Sequence, residues 1–225
     1  MMSKVRMFQA GFAVAILFAG LCSEVLKAAD HDDAITSEQA LQRLKDGNDH
    51  YATDKVEPKD TGHQRRADLV KGQHPFAVVV TCADSRVPPE LIFNQGLGDI
   101  FVIRVAGNIA DPFTLGSVEY AVEHLHAPLV VILGHDHCGA VGAAMGTEKP
   151  TGNLGALLHE VHVGDVASMP KETAEPAAVK NNVIHQTEQV TAQSDVLKET
   201  VKEKKVQIAP AIYHLDTGKV EWLTK

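Results

Sequence analysis

The chain predicts an α/β fold, a mostly parallel central sheet flanked by helices, and three observations carry that expectation. Residues 76–80, 100–103 and 129–133 are short, continuous apolar runs of strand length, rich in β-branched side chains. Unbroken apolar character suits strands buried on both faces, as parallel sheets require. Between the second and third runs, Leu115, Val118, Val122 and Leu125 recur at helical spacing, so helix and strand alternate as they do in α/β proteins.

The elements follow in order along the chain. Lys4 and Arg6 precede an apolar stretch over residues 8–21, the layout of a secretory signal peptide and short for a membrane span. Ala28 and Ala29 stand before Asp30, Asp32 and Asp33, which divides the chain into a leader, 1–29, and a single domain, 30–225. Leu26 or Lys27 at the -3 position departs from the small-residue rule. Leu21 before Cys22 does not suit a lipoprotein, where lipid attachment wants a small side chain. The mature protein is therefore expected in the periplasm or secreted, with no stable membrane anchor after cleavage. Within 30–55 a helical arm is signalled by Thr36 and Gln39, spaced as a capping box, and by Leu41, Leu44 and Tyr51. Pro88 and Pro89 open a short helix, since proline is tolerated in a first turn, and Pro128 closes the helix before the third strand. Residues 28–33 and 171–180 read as solvated connectors. A strand over 206–213, a turn at 216–218 and a short strand over 219–223 end the chain.

The 225 residues are 44% hydrophobic and 22% charged, within the range of folded domains, and show no internal repeat. A formal charge of -8 with no block of basic residues argues against nucleic acid as a partner.

Chemistry is concentrated where two of the strands end. Residues 78–81 run into Cys82, Asp84 and Arg86, and residues 131–134 run into His135, His137 and Cys138. In open α/β sheets, ligands bind beyond the carboxyl ends of the strands. Zinc takes thiolate and imidazole ligands, and catalytic sites supply three, leaving the fourth position open. Cys82, His135 and Cys138 match that set. Loss of Cys22 with the leader leaves Cys82 and Cys138 as the two cysteines of an exported protein, so a disulfide is the competing state. Such a bond would stabilise by about 4 kcal/mol, against roughly 10–16 kcal/mol for a satisfied structural zinc site. It would also leave His135, Asp84 and Arg86 without a role. On these residues alone both states stay open.

Residues 82–88 (CADSRVP) and 134–140 (GHDHCGA) together resemble the two signature motifs of bacterial β-carbonic anhydrases. Residues 99–108 are similar to the family segment between them, and 212–220 to its C-terminal strand. The resemblance extends over residues 36–223. It implies one Zn2+ per chain on Cys82, His135 and Cys138, and reversible hydration of carbon dioxide to bicarbonate and a proton by attack of zinc-bound hydroxide. Asp84 would orient that water and Arg86 would hold Asp84 off the metal. It further implies a homodimer or an assembly of dimers, with the early helix as the dimer arm. Gln95 and Asn108 are the matching candidates for the substrate pocket, Gln95 with one extra residue nearby. His137 is one of twelve histidines that could carry protons. Family-related hydrolases of carbon disulfide or carbonyl sulfide, and a non-catalytic zinc protein, are the alternatives. A thiol redox protein fits less well, because Cys82 and Cys138 are far apart in sequence. Some bacterial members bind regulatory bicarbonate with a tryptophan and an arginine. Here Arg104 is kept, Val79 stands in place of the tryptophan and the only tryptophan is Trp222, so that regulation is expected to be absent.

Overall fold

The computed structural model describes residues 35–148 and 150–224. The leader, its cleavage site and the connector at 28–33 lie outside them. The elements are α1 (Ser37–Ala52), α2 (His63–Leu69), β1 (Ala77–Thr81), α3 (Pro89–Ile92), β2 (Ile100–Arg104), a 3-10 turn (Ala106–Asn108), α4 (Pro112–His124), β3 (Leu129–His135), α5 (Gly139–Met145), α6 (Gly152–His159), α7 (Lys171–Ala192), α8 (Asp195–Lys202), β4 (Gln207–Tyr213) and β5 (Val220–Trp222). The strands form one sheet in the order β2-β1-β3-β4-β5, parallel throughout except for β5. All five expected strands are present within a residue or two of their predicted limits.

Successive strand residues alternate between the two faces. Val78, Val80, Val130 and Ile132 join one buried cluster, with Val118 of α4 and Val179 and Val183 of α7. Ala77, Val79, Leu129, Val131 and Leu133 join the other, with Leu44 of α1 and Ile92 and Phe93 at α3. Burial on both faces is what their unbroken apolar sequences required. Among the described residues, no helix is long and apolar enough to cross a membrane.

Thr36 caps α1 through the reciprocal bonds of a capping box: its hydroxyl accepts from Gln39 N–H, and the Gln39 side chain accepts from Thr36 N–H. The buried face of α1 is Ala40, Leu44, Gly47 and Asn48. Leu41 and Tyr51 pack half-buried at its margins, as their helical spacing required, and Gly47 lets the helix approach the Phe93 carbonyl closely. Within one chain, α1 thus lies on its own sheet. Asp111 caps α4 by accepting from Thr114 N–H, and Pro112 occupies its first turn.

The connector expected at 171–180 is instead the first half of α7. Ala174, Ala178 and Val179 are buried there, so the charged residues between them form only the outer face of an amphipathic helix. Pro176 lies inside that helix and disguised it in the sequence.

Asn48 joins three elements that are distant in sequence. Its Nδ2 donates to the Ile92 carbonyl at 3.2 Å and to the Gly218 carbonyl at 2.8 Å, and its Oδ1 accepts from Val220 N–H at 2.8 Å. It is 4% exposed, so loss of the amide leaves buried backbone groups without partners. Asn48→Ala is expected to destabilise the protein by about 1–3 kcal/mol in urea unfolding. An unchanged unfolding midpoint would show that the β4–β5 turn does not depend on α1.

Candidate metal centre at the ends of β1 and β3

β1 connects onward to β2 on one side of it, while β3 lies on its other side, so the chain reverses its direction of travel between β1 and β3. Such a switch point leaves a crevice at the carboxyl ends of the two strands. Thr81 pairs with Leu133, and the Thr81 hydroxyl donates to the Leu133 carbonyl at 2.9 Å. Cys82 follows directly on β1, His135 closes β3, and Cys138 stands immediately before α5. Their ligand atoms lie within 4.8 Å of one another, and all three residues are buried.

Gly134 permits this placement. A side chain there would collide with Val183, so glycine lets α7 cover the end of β3. His137 adopts a left-handed backbone, φ 50°, that turns the chain so Cys138 faces back toward His135.

The donor chemistry fits a soft cation. The Cys82 and Cys138 sulfurs are 3.9 Å apart, and both thiols are free. A disulfide needs about 2.05 Å. The hydrogen bond from Cys138 pushes the Cys82 thiol down to about 4, and the same bond, with burial, pushes Cys138 up. Two adjacent buried sulfurs do not both ionise unless a cation offsets their repulsion. His135 Nδ1 lies 2.8 Å from the Asp136 carbonyl, which assigns it the proton and leaves Nε2 with a free lone pair. Nε2 is fully buried and has no hydrogen-bond partner. An orphaned acceptor beside two sulfurs is what a thiolate–imidazole metal site requires.

Asp84 and Arg86 form a closed pair beside these donors. Arg86 Nε and Nη2 donate to the two Asp84 oxygens at 2.9 and 2.7 Å, and Arg86 N–H adds a third bond at 2.9 Å. Those hydrogen bonds, against some burial, hold the Asp84 carboxyl far below the usual carboxylate range. Arg86 also donates to the His137 carbonyl at 3.1 Å, tying the two strand-end loops together. Asp84 Oδ2 is 4.0 Å from His135 Nε2, too far for a hydrogen bond but facing it. His137 is exposed and lies 3.4 Å from Glu175.

The two pocket candidates diverge. Gln95 does not reach this centre within the chain: its amide donates to the Phe93 carbonyl and accepts from Arg43 of α1. Asn108 is buried at the end of the 3-10 turn, adjoining Gly107, whose N–H donates to Cys82 Sγ at 3.4 Å. Its own Nδ2 has no partner. Arg104 serves the ligand loop, donating to the carbonyls of Cys82 and Asp84. Val79 is completely buried, and Trp222 lies on the opposite edge strand, against Phe93. Sequence reading missed Arg104 as a loop clamp and the Gly107 N–H as a donor to sulfur. Neither has a local signature, since both act through backbone groups brought together by the fold.

Three buried donors, one short of a tetrahedral set, at the switch point of an α/β sheet define a metalloprotein of the catalytic rather than the structural kind. Comparison with known proteins makes this more specific. A family model described as carbonic anhydrase matches residues 77–220. The chain is 36% identical over 185 residues to carbonic anhydrase 2 of Mycobacterium tuberculosis, covering 80% of this chain and 89% of that one. It is 37% identical over 190 residues to a carbonic anhydrase of Mycolicibacterium smegmatis, covering 81% and 91%. The β-carbonic anhydrase of Coccomyxa, solved in complex with acetazolamide, superposes with a TM-score of 0.67 at 26% identity, covering 82% of this chain and 86% of that chain. The chain belongs to the carbonic anhydrase family, in its β class. It is accordingly a lyase of carbon dioxide hydration with zinc as cofactor.

Proposed function

We propose that this enzyme hydrates carbon dioxide to bicarbonate and a proton at a centre formed by Cys82, His135 and Cys138, with Asp84 directing the attacking water and Arg86 fixing Asp84. Zinc on those three donors supplies a Lewis acid that brings the pKa of water from about 15.7 to about 7. The supporting observation is the placement of Asp84: Arg86 engages both of its oxygens, yet Oδ2 still faces His135 Nε2 across 4.0 Å.

An ionised carboxylate only accepts hydrogen bonds. Asp84 therefore takes an O–H from water in the crevice and turns an oxygen lone pair toward the carbon of the substrate. Arg86 keeps the carboxylate ionised and prevents it from collapsing onto the donors it faces. The new C–O bond forms as one C=O π pair moves to oxygen, and the water's proton leaves toward solvent. His137, exposed and 3.4 Å from Glu175, is a candidate to carry it. Cys82 and Cys138 belong to a buried apolar cluster with Ile109 and Val141, surroundings that suit an uncharged substrate.

A homodimer, or an assembly of dimers, is part of the same reading. β2 is an edge strand of the sheet, and Val70, Leu91 and Leu97 expose apolar surface in the groove beside it. A free edge flanked by such surface is a ready pairing site. Sedimentation at micromolar concentration should find a dimer or larger species, and a monomer would contradict this assembly.

Ligand and orienting residues separate by experiment. Cys82→Ser should lose zinc and activity together, because a three-donor site has no spare. Asp84→Asn should keep zinc and lose at least about 10-fold in turnover. Elemental analysis with stopped-flow hydration reads both. Full zinc in Cys82→Ser, or wild-type turnover in Asp84→Asn, would refute the corresponding role.

A further inference from the structure

The interior face of α7 carries two buried amide side chains. Asn182 is 1% exposed and Gln186 2%, and they lie one helical turn apart among Val179, Val183 and Val190. Buried amides are costly unless satisfied, and these are hydrogen-bonded to backbone from two separate segments.

Asn182 Nδ2 donates to the Gly107 carbonyl at 2.8 Å, while its Oδ1 accepts from His162 N–H at 3.0 Å and from Gln186 Nε2 at 3.1 Å. Gln186 Nε2 also donates to the Glu160 carbonyl at 2.7 Å, and its Oε1 accepts from Ala110 N–H at 2.8 Å. The pair thus holds both ends of the turn from Gly107 to Ala110. It also holds residues 160–162, which carry Val161 against that turn.

Gly107 is the point where this network reaches the centre. Its φ of 73° lies in the left-handed region, and a Cβ there would come within 2.9 Å of Val161 Cγ2 and 3.4 Å of the Ala140 Cβ. With its carbonyl fixed by Asn182, the Gly107 N–H is aimed at Cys82 Sγ, 3.4 Å away. An N–H donated to a thiolate withdraws electron density from the sulfur, and hydrogen bonds of this kind tune metal–thiolate centres. The effect matters where two thiolates nearly cancel the charge of the cation that must acidify water.

We propose that Asn182 and Gln186 are positioning residues for the zinc centre, setting the electron density on the Cys82 sulfur through the Gly107 N–H. This rests on Cys82 being a metal ligand. The network has a purpose beyond packing: apolar residues at both positions would fill α7 equally well but would leave the turn free to rotate its N–H away from sulfur.

Cobalt substitution provides the test. The wild-type protein should take up one cobalt per chain and show an intense near-ultraviolet sulfur-to-cobalt charge-transfer band. Asn182→Ala and Gln186→Leu should move that band to longer wavelength, because a sulfur relieved of its N–H bond gives up electrons more readily. In the zinc form both should lose metal to a chelator about 10-fold faster than wild type. Val190→Ala, buried further along α7, should lower thermal stability and leave the band in place. If Asn182→Ala does not fold, Asn182→Ser and Gln186→Leu decide the matter. A wild-type band that no folded variant moves overturns the proposal alone, whatever happens to activity. A wild-type protein without the band removes the ligand reading, and the proposal with it.

Discussion

Parallel pairing of β1 with β3 is the constraint on which the rest of this molecule depends. Once Thr81 lies opposite Leu133, the next residue of β1 and the last two of β3 emerge side by side. A sulfur and an imidazole are then delivered to one crevice without any long loop having to be ordered. The flanking strands keep that register: β2 pairs with β1 up to Arg104, and β4 pairs with β3 up to Tyr213 opposite His135. A slip of one residue would displace one strand end by about 3.3 Å against the other and turn its side chains to the opposite face of the sheet, which breaks up the donor set.

Precision beyond the strand ends comes from side chains that grip backbone. Arg104 holds the carbonyls of Cys82 and Asp84, Arg86 reaches the His137 carbonyl, and Asp136 accepts from Leu215 N–H while its own carbonyl meets His135 Nδ1. Both ligand-bearing loops are thus held by contacts from other elements. That is the usual organisation of a metal site, whose supporting shell orients the donors and adjusts their basicity. It also explains how a crevice can keep His135 Nε2 and two thiols buried without their collapsing into a simpler, satisfied core.

Much of this was legible in the amino-acid sequence, and the reasons are physical. Strands buried on both faces must be apolar throughout, so residues 76–80, 100–103 and 129–133 announced themselves. Cys82, Asp84, Arg86, His135 and Cys138 were visible as reactive types at strand ends. The first half of α7 was hidden by Pro176 and its charged outer face, since small buried residues such as Ala174 and Ala178 give a weak periodic signal. Gln95 could not be placed from its neighbours in sequence, because its partner Arg43 lies 52 residues away. The distance in sequence between Cys82 and Cys138 does not exclude a redox pair, because the fold brings their sulfurs to 3.9 Å. What excludes it is the third donor: His135 would remain an unpartnered buried acceptor beside a disulfide.

The chemistry of the centre turns on what occupies those three donors. X-ray absorption at the zinc edge of the purified protein measures this directly. The structure predicts two sulfurs at about 2.3 Å and one imidazole nitrogen at about 2.0–2.1 Å, with a light atom completing the shell. A shell without sulfur, or one with a single sulfur, would contradict it.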